Sequence, residues 1–174
     1  MISCEKDLED YICYNQQEFI KKLEEIYGKD IKFLGRQVDI GKRENIADLV
    51  YYQESIEDDI RYLRFIIVEL KFRPLIAKDL AQLGRYMILL ESKLCGDVRY
   101  IDSETSVQGL FVSNGMDNDM EIISMMDIPR ISYLDIKQSL SFNAVNFNYK
   151  EEYIENLQLY KRIDELFEKE KESE

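Results

Sequence analysis

LRFIIVELKF, residues 63–72, is apolar almost without interruption until it ends in charge. A run of this kind fits a central strand buried on both faces, since a strand with one wet face alternates apolar and polar residues. Side chains alternate along a strand, so Glu69 and Lys71 point to the same face. Two opposite charges at the end of a buried strand require an explanation, because burying charge is costly. One explanation is a metal site in which Glu69 and the Leu70 carbonyl supply oxygens and Lys71 holds or activates a water. The other is a strand that runs out into solvent with a weak ion pair at its tip. The preceding apolar segment, IADLVYY (46–52), bears on the choice. If 46–52 and 63–71 are adjacent antiparallel strands, Asp48 lies beside Glu69 at the edge of the sheet. Two carboxylates and a lysine then make a site for a hard divalent cation.

Outward from this pair of strands, residues 4–26 place Leu8, Tyr11, Ile12, Phe19, Leu23 and Ile26 at helical spacing, with Ser3 as a candidate cap. IKFLGRQVDI (31–40) reads as a strand and GKREN (41–45) as a turn. QESIEDDIRY (53–62) reads as an exposed acidic connection. After Pro74, residues 76–94 form a helix whose stripe is Ile76, Leu80, Leu83, Met87 and Leu90. Lys78, Gln82, Arg85 and Tyr86 fall on its polar side. VQGLFVS (107–113) is a further buried strand, residues 118–127 a helix and ISYLDI (131–136) a last strand. The order α-β-β-β-α-β-α-β predicts a single α/β domain over residues 1–148, a sandwich of helices around a mixed sheet. Residues 149–174 add a charged amphipathic helix with Tyr153, Leu157, Tyr160, Ile163 and Phe167 on one side. Such a face packs either on its own domain or on a second copy of the chain.

The 174 residues contain no histidine, which excludes histidine bases, His-based triads and His-ligated zinc. Carboxylates as the main ligands favour magnesium or manganese. Three cysteines without a CxxC pair read as free thiols, and the charged MISCEKDLEDYICY opening predicts a cytoplasmic protein with no membrane association. The net charge of −12 runs against a basic nucleic-acid surface. The charge is uneven, however. Between Arg64 and Arg99 there are seven basic and four acidic residues, whereas from Lys150 onward there are five basic and nine acidic. The segment bearing the ExK strand is the basic part of the chain.

Asp48, Glu69-x-Lys71 and Gln82-x-x-x-Tyr86, preceded by a helical acid, resemble the core of the PD-(D/E)XK nuclease superfamily. The chain is particularly similar to the nuclease domain of NucS-type endonucleases across residues 4–137. EKDLEDYI resembles that family's first nuclease helix, with Glu5 at its leading glutamate. FLGRQ resembles the next strand, and VELK and QLGRYM match in type and spacing. YhcG-type nucleases share GRQ and ELK and stand second. Residues 41–62 are longer and more acidic than the family pattern.

The resemblance implies a restriction-endonuclease-like fold and Mg2+- or Mn2+-dependent hydrolysis of phosphodiester bonds, in DNA first and with RNA still open. It implies Asp48, Glu69 and the Leu70 carbonyl as metal ligands, with Glu5 assisting directly or through water. Lys71 would position water or stabilise charge, and Gln82 and Tyr86 would orient the site. Arg36, Arg73, Lys78 and Arg85 would contact phosphate. The partner is then nucleic acid, with a homodimer through the C-terminal helix or a protein that delivers the substrate as additions. The rival readings are a non-catalytic interaction module, or a partner-dependent nuclease subunit, on the same fold. A third is an acidic mimic of nucleic acid, which has no need of the ExK strand.

Overall fold

The computed structural model describes residues 2–41, 45–95, 103–115 and 130–132. In chain order these form α1 (Glu5–Tyr14), α2 (Gln16–Tyr27), β1 (Ile31–Asp39), β2 (Ile46–Glu57), β3 (Ile60–Lys71), α3 (Ala77–Cys95), β4 (Ser103–Ser113) and β5 (Arg130–Ser132). The strands make one mixed sheet in the order β1-β2-β3-β4-β5. β1, β2 and β3 are antiparallel neighbours, while β3–β4 and β4–β5 are parallel. The change of direction falls on β3, because the connection from β3 to β4 contains α3 and a parallel pair requires such a crossover. The chain is thus an α/β sandwich around a mixed sheet.

Alternation along β3 separates two cores. Leu63, Phe65 and Ile67 join Leu83, Tyr86, Leu90 and Leu94 of α3 on one face. Ile66, Val68 and Leu70 join Leu8, Ile12, Phe19 and Leu23 of α1 and α2 on the other. The ExK strand is therefore central and buried on both faces. Its charged end lies in mid-sheet, not at the edge of the sheet.

Several local expectations change. The stretch 4–26 is two helices, because Asn15 leaves the helical region (φ −100°, ψ 35°) and closes α1 by donating its side-chain amide to the Tyr11 carbonyl. Cys4, not Ser3, holds the cap position, and Ser3 instead donates its backbone N–H and its hydroxyl to Asp7 Oδ2. Ile26 and Ile76 lie outside the cores at 42% and 37% exposure. Tyr86 turns into the α3 core instead of lying along the polar side of the helix.

The largest change concerns residues 53–62, which continue β2 and begin β3 instead of forming a connection. Ser55, Ile56 and Glu57 pair with Tyr62, Arg61 and Ile60 around the two-residue loop Asp58–Asp59. Both loop residues have positive φ, 52° and 64°. A tight hairpin requires left-handed residues there to match the strand twist, and Asp tolerates that region better than most. Polarity in this segment reflects a hairpin that extends beyond the helices, so its side chains meet water on both faces. Residues 42–44, the segment 118–127, the part of the last strand beyond Ser132 and the helix from Tyr149 lie outside the described residues.

Two substitutions test this frame. Asp59→Gly relieves a left-handed non-glycine residue and one charge of the acidic tip, and should stabilise the chain by about 0.5–1 kcal/mol. Gly109→Ala places a Cβ 2.8 Å from both Leu83 Cδ2 and Met87 Sδ, where α3 lies on β4. It should destabilise by about 1–3 kcal/mol through overpacking. Thermal or urea unfolding reads both, and a neutral Gly109→Ala would show that α3 seats more loosely than described.

Candidate functional site

The ladder between β2 and β3 runs to the pair Leu49–Val68. One step further the two strands are joined differently: the Leu70 backbone N–H donates to Asp48 Oδ2 at 2.7 Å. A side chain takes the place of a ladder carbonyl, and this brings the Asp48 carboxylate against β3 next to Glu69. Lys71, two residues along and on the same face, donates to Glu69 Oε1 at 2.9 Å. The first turn of α1 brings Glu5 Oε2 within 3.9 Å of the same ammonium. Glu69 is 1% exposed and Lys71 8%. The tip-of-strand reading, a weak ion pair in water, does not describe this arrangement.

Burial sets the electrostatics. It pushes both carboxylates above their usual range, and for Glu69 the neighbouring charge of Asp48 adds to the effect. For Asp48 the Leu70 N–H and Lys71 oppose the shift, while Glu9 and Glu5 reinforce it. Burial works against the charge on Lys71, but Glu69, Asp48 and Glu5 outweigh it and hold the ammonium above its ordinary range. Lys71 serves here as a hydrogen-bond donor to Glu69. Glu69 Oε2 is buried without a hydrogen-bond partner. A buried acceptor in that state is costly, and a proton or a bound cation would satisfy it.

The donor set fits a hard divalent cation. Asp48 and Glu69 offer carboxylate oxygens and Leu70 a backbone carbonyl on the same stretch of β3. Among the described residues, no group of three or more Cys, Asp or Glu side chains gathers to hold a metal alone.

α3 follows the site directly. Arg73 grips Asp79 with two bonds of 2.7 Å, and Asp79 Oδ2 also accepts from the Ile76 N–H at 2.9 Å. This reach-back satisfies a free donor at the start of the helix. Tyr86, 3% exposed, accepts a 2.8 Å hydrogen bond from Gln82 Nε2. Burial raises its hydroxyl pKa, and the charges of Glu69 and Asp48 push in the same direction, so it lies within electrostatic reach of the carboxylates.

Asp48, Glu69 and Lys71 are thus brought together with Glu5, and Gln82–Tyr86 stand beside them. The expected phosphate contacts fare differently. Lys78 and Arg85 are exposed on α3. Arg73 is engaged by Asp79 in fixing the start of that helix. Arg36 is 4% exposed and pairs with Glu9 and Asp10 at 3.0 Å each, which corrects its reading as a surface phosphate contact. The sequence reading missed Glu9. Its position four residues after Glu5, on the same face of a helix, was the available signal.

No family model matches the chain, and no curated protein matches it. Among solved structures it is similar to a repair endonuclease from Pyrococcus abyssi, at 17% identity and a TM-score of 0.44, over 68% of this chain and 45% of that one. It is also similar to the protein in an EndoMS–dsDNA complex, at 19% identity and a TM-score of 0.43, over 68% and 44%. The chain spans less than half the length of these proteins. At this level the similarity fixes neither family nor function.

The desolvated carboxylates Asp48 and Glu69 make a pH prediction for the metal-free protein. Carboxylates with raised folded pKa values contribute stability in their protonated form, which is lost as pH rises through those values. Melting temperature should therefore fall as pH rises above the ordinary carboxylate range of about 4. Glu69→Gln mimics the protonated form, so it should flatten this fall and melt above the wild type at alkaline pH. A wild type that gains stability relative to Glu69→Gln as pH rises would contradict the desolvated, like-charged pair.

Proposed function

We propose that the chain is a metal-dependent nuclease of PD-(D/E)XK type that hydrolyses phosphodiester bonds, DNA being the first substrate. The observation that carries this reading is the pair of carboxylates on neighbouring strands, half-buried Asp48 beside buried Glu69, with a Glu69 oxygen that lacks a hydrogen-bond partner and Lys71 at 2.9 Å. Asp48, Glu69 and the Leu70 carbonyl would hold Mg2+ or Mn2+. Such an ion, when bound, polarises the phosphate and lowers the pKa of a coordinated water.

The chain's own groups supply the rest. The ammonium of Lys71 stays protonated beside its carboxylates and stabilises charge that develops on the phosphate oxygens. Glu5 lies at the open side of Lys71, in position to orient that ammonium or a water. Tyr86, held by Gln82, supplies a neutral hydroxyl at the α3 side of the site. Lys78 and Arg85, exposed on α3, would meet phosphate.

The net charge of −12 favours a second form of the same reading, in which a protein partner delivers the substrate. An acidic chain attracts a polyanion poorly, so cleavage by the isolated chain should be weak and should fall steeply with salt.

The test is cleavage of single-stranded, branched and mismatched DNA, and of RNA, with Mg2+ or Mn2+. Lys71→Ala should lower the rate by about 10²–10³-fold. Glu69→Ala should abolish cleavage while the variant still melts cooperatively. A folded wild type that binds Mn2+ yet cuts none of these substrates would move the chain to a partner-dependent subunit or a non-catalytic module.

A further inference from the structure

On β1, Arg36 pairs with Leu49 and Val38 pairs with Ala47, so Gln37 stands across from Asp48. Gln37 has φ of 49°. A residue with a long side chain enters the left-handed region only where its surroundings hold it there. Its amide Nε2 donates to Glu9 Oε2 at 3.1 Å, and Glu9 Oε1 accepts from Arg36 Nε at 3.0 Å. Glu9 is 6% exposed, and its negative charge is felt by Asp48. The core does not require this cluster, since apolar residues of similar size would pack α1 on β1 without desolvating charges. Its location is the informative feature, because it fixes β1 at the residue that faces Asp48.

The left-handed turn takes Gln37 out of the regular β1–β2 ladder. With no ladder pair between Gln37 and Asp48, the Asp48 carboxylate turns to the Leu70 N–H on its other flank. We propose that Glu9 is a positioning residue: through Gln37 it holds β1 in the conformation that aims Asp48 at Glu69, and so sets the spacing of the two carboxylates that would hold the cation. This inference rests on the metal reading given above.

The hydrogen-bond chemistry makes it testable. Arg36 Nε and Gln37 Nε2 are both donors, so position 9 must offer two acceptor oxygens, which an ionised carboxylate does and an amide does not. Glu9→Gln sets a donor against a donor. Gln37→Glu sets two carboxylates face to face. With both changes, the amide at position 9 keeps its oxygen on Arg36 and turns its NH2 toward the new carboxylate at position 37. The bond is restored with its direction reversed and the net charge unchanged. Gln37→Gly is a gentler probe, because glycine adopts the left-handed conformation without strain and the Glu9–Arg36 pair survives.

The experiment is calorimetric titration of the full chain with Mn2+, without nucleic acid, together with metal-free thermal melts. Glu9→Gln, Gln37→Glu and Gln37→Gly should each weaken Mn2+ binding about tenfold or more. The double variant should recover most of that loss. Gln37→Gly should remain folded, which separates positioning from stability if the charged variants unfold. A folded Gln37→Gly that binds Mn2+ as the wild type does overturns the proposal, as does a folded double variant no better than its single parents. A wild type that fails to bind Mn2+ overturns the metal reading, and this inference with it. A wild type that binds, with variants that bind equally, overturns the inference alone.

Discussion

A buried carboxylate at the end of the central strand, Glu69, with half-buried Asp48 of the neighbouring strand beside it, is the constraint on which the rest of the site depends. Ionising both Asp48 and Glu69 there is costly, because each is desolvated and the charge of Asp48 raises Glu69 further. The surroundings offset only part of that cost. Lys71 neutralises one charge and the Leu70 N–H supports Asp48, but one oxygen of Glu69 stays buried without a partner. A fold selected for stability alone would place apolar residues at these positions, as it does at Val68 and Leu70 on the opposite face. The arrangement leaves the metal-free protein under electrostatic strain that a bound cation would relieve.

The sheet topology explains why the site lies where it does. β3 is the strand at which antiparallel pairing on one side gives way to parallel pairing on the other. On the β2 side the ladder stops at Leu49–Val68, and a side chain replaces the next backbone acceptor. On the β4 side pairing continues through Glu69–Phe111 to Lys71–Ser113 and holds β3 straight. The ExK segment is thus rigid along one edge and open along the other, and the opening is where Asp48 enters. α3 begins a few residues later, fixed by the Arg73–Asp79 clamp, and carries Tyr86 back over the same face.

The parts of this that were legible in sequence are those governed by short-range rules. An apolar run ending in ExK identifies a buried strand with two charges on one face, and Asp48 within IADLVYY identifies its neighbour. Residues 53–62 were misread because their polarity follows from tertiary context. They are a hairpin lying beyond both helical layers, and water on both faces removes the alternation that marks a strand. Arg36 was misread for the related reason that its partners come from another element. Its burial depends on Glu9 and Asp10, and only the packing of α1 on β1 brings them to it. The kink at Asn15 depends on side-chain capping, which helical periodicity does not register. Tyr86 lies at the boundary of stripe and polar face, where periodicity alone does not settle the side.

The charge distribution follows the same axis as β3. At the hairpin end, Glu54, Glu57, Asp58 and Asp59 surround the tip. At the other end, Lys71, Arg73, Lys78 and Arg85 follow one another through the strand end and into α3. Strand rise of about 3.3 Å per residue puts a 12-residue strand between the two, and the resulting distance exceeds the Debye length of about 8 Å at physiological salt. A polyanion near the basic end is therefore largely screened from the acidic tip. It still meets carboxylates within the site itself, where Glu5 stands beside Lys71 and Asp48 beside Glu69. A divalent cation held by Asp48 and Glu69 would offset that local repulsion. On the proposed reading, such a cation would reconcile the net charge with an approaching phosphate.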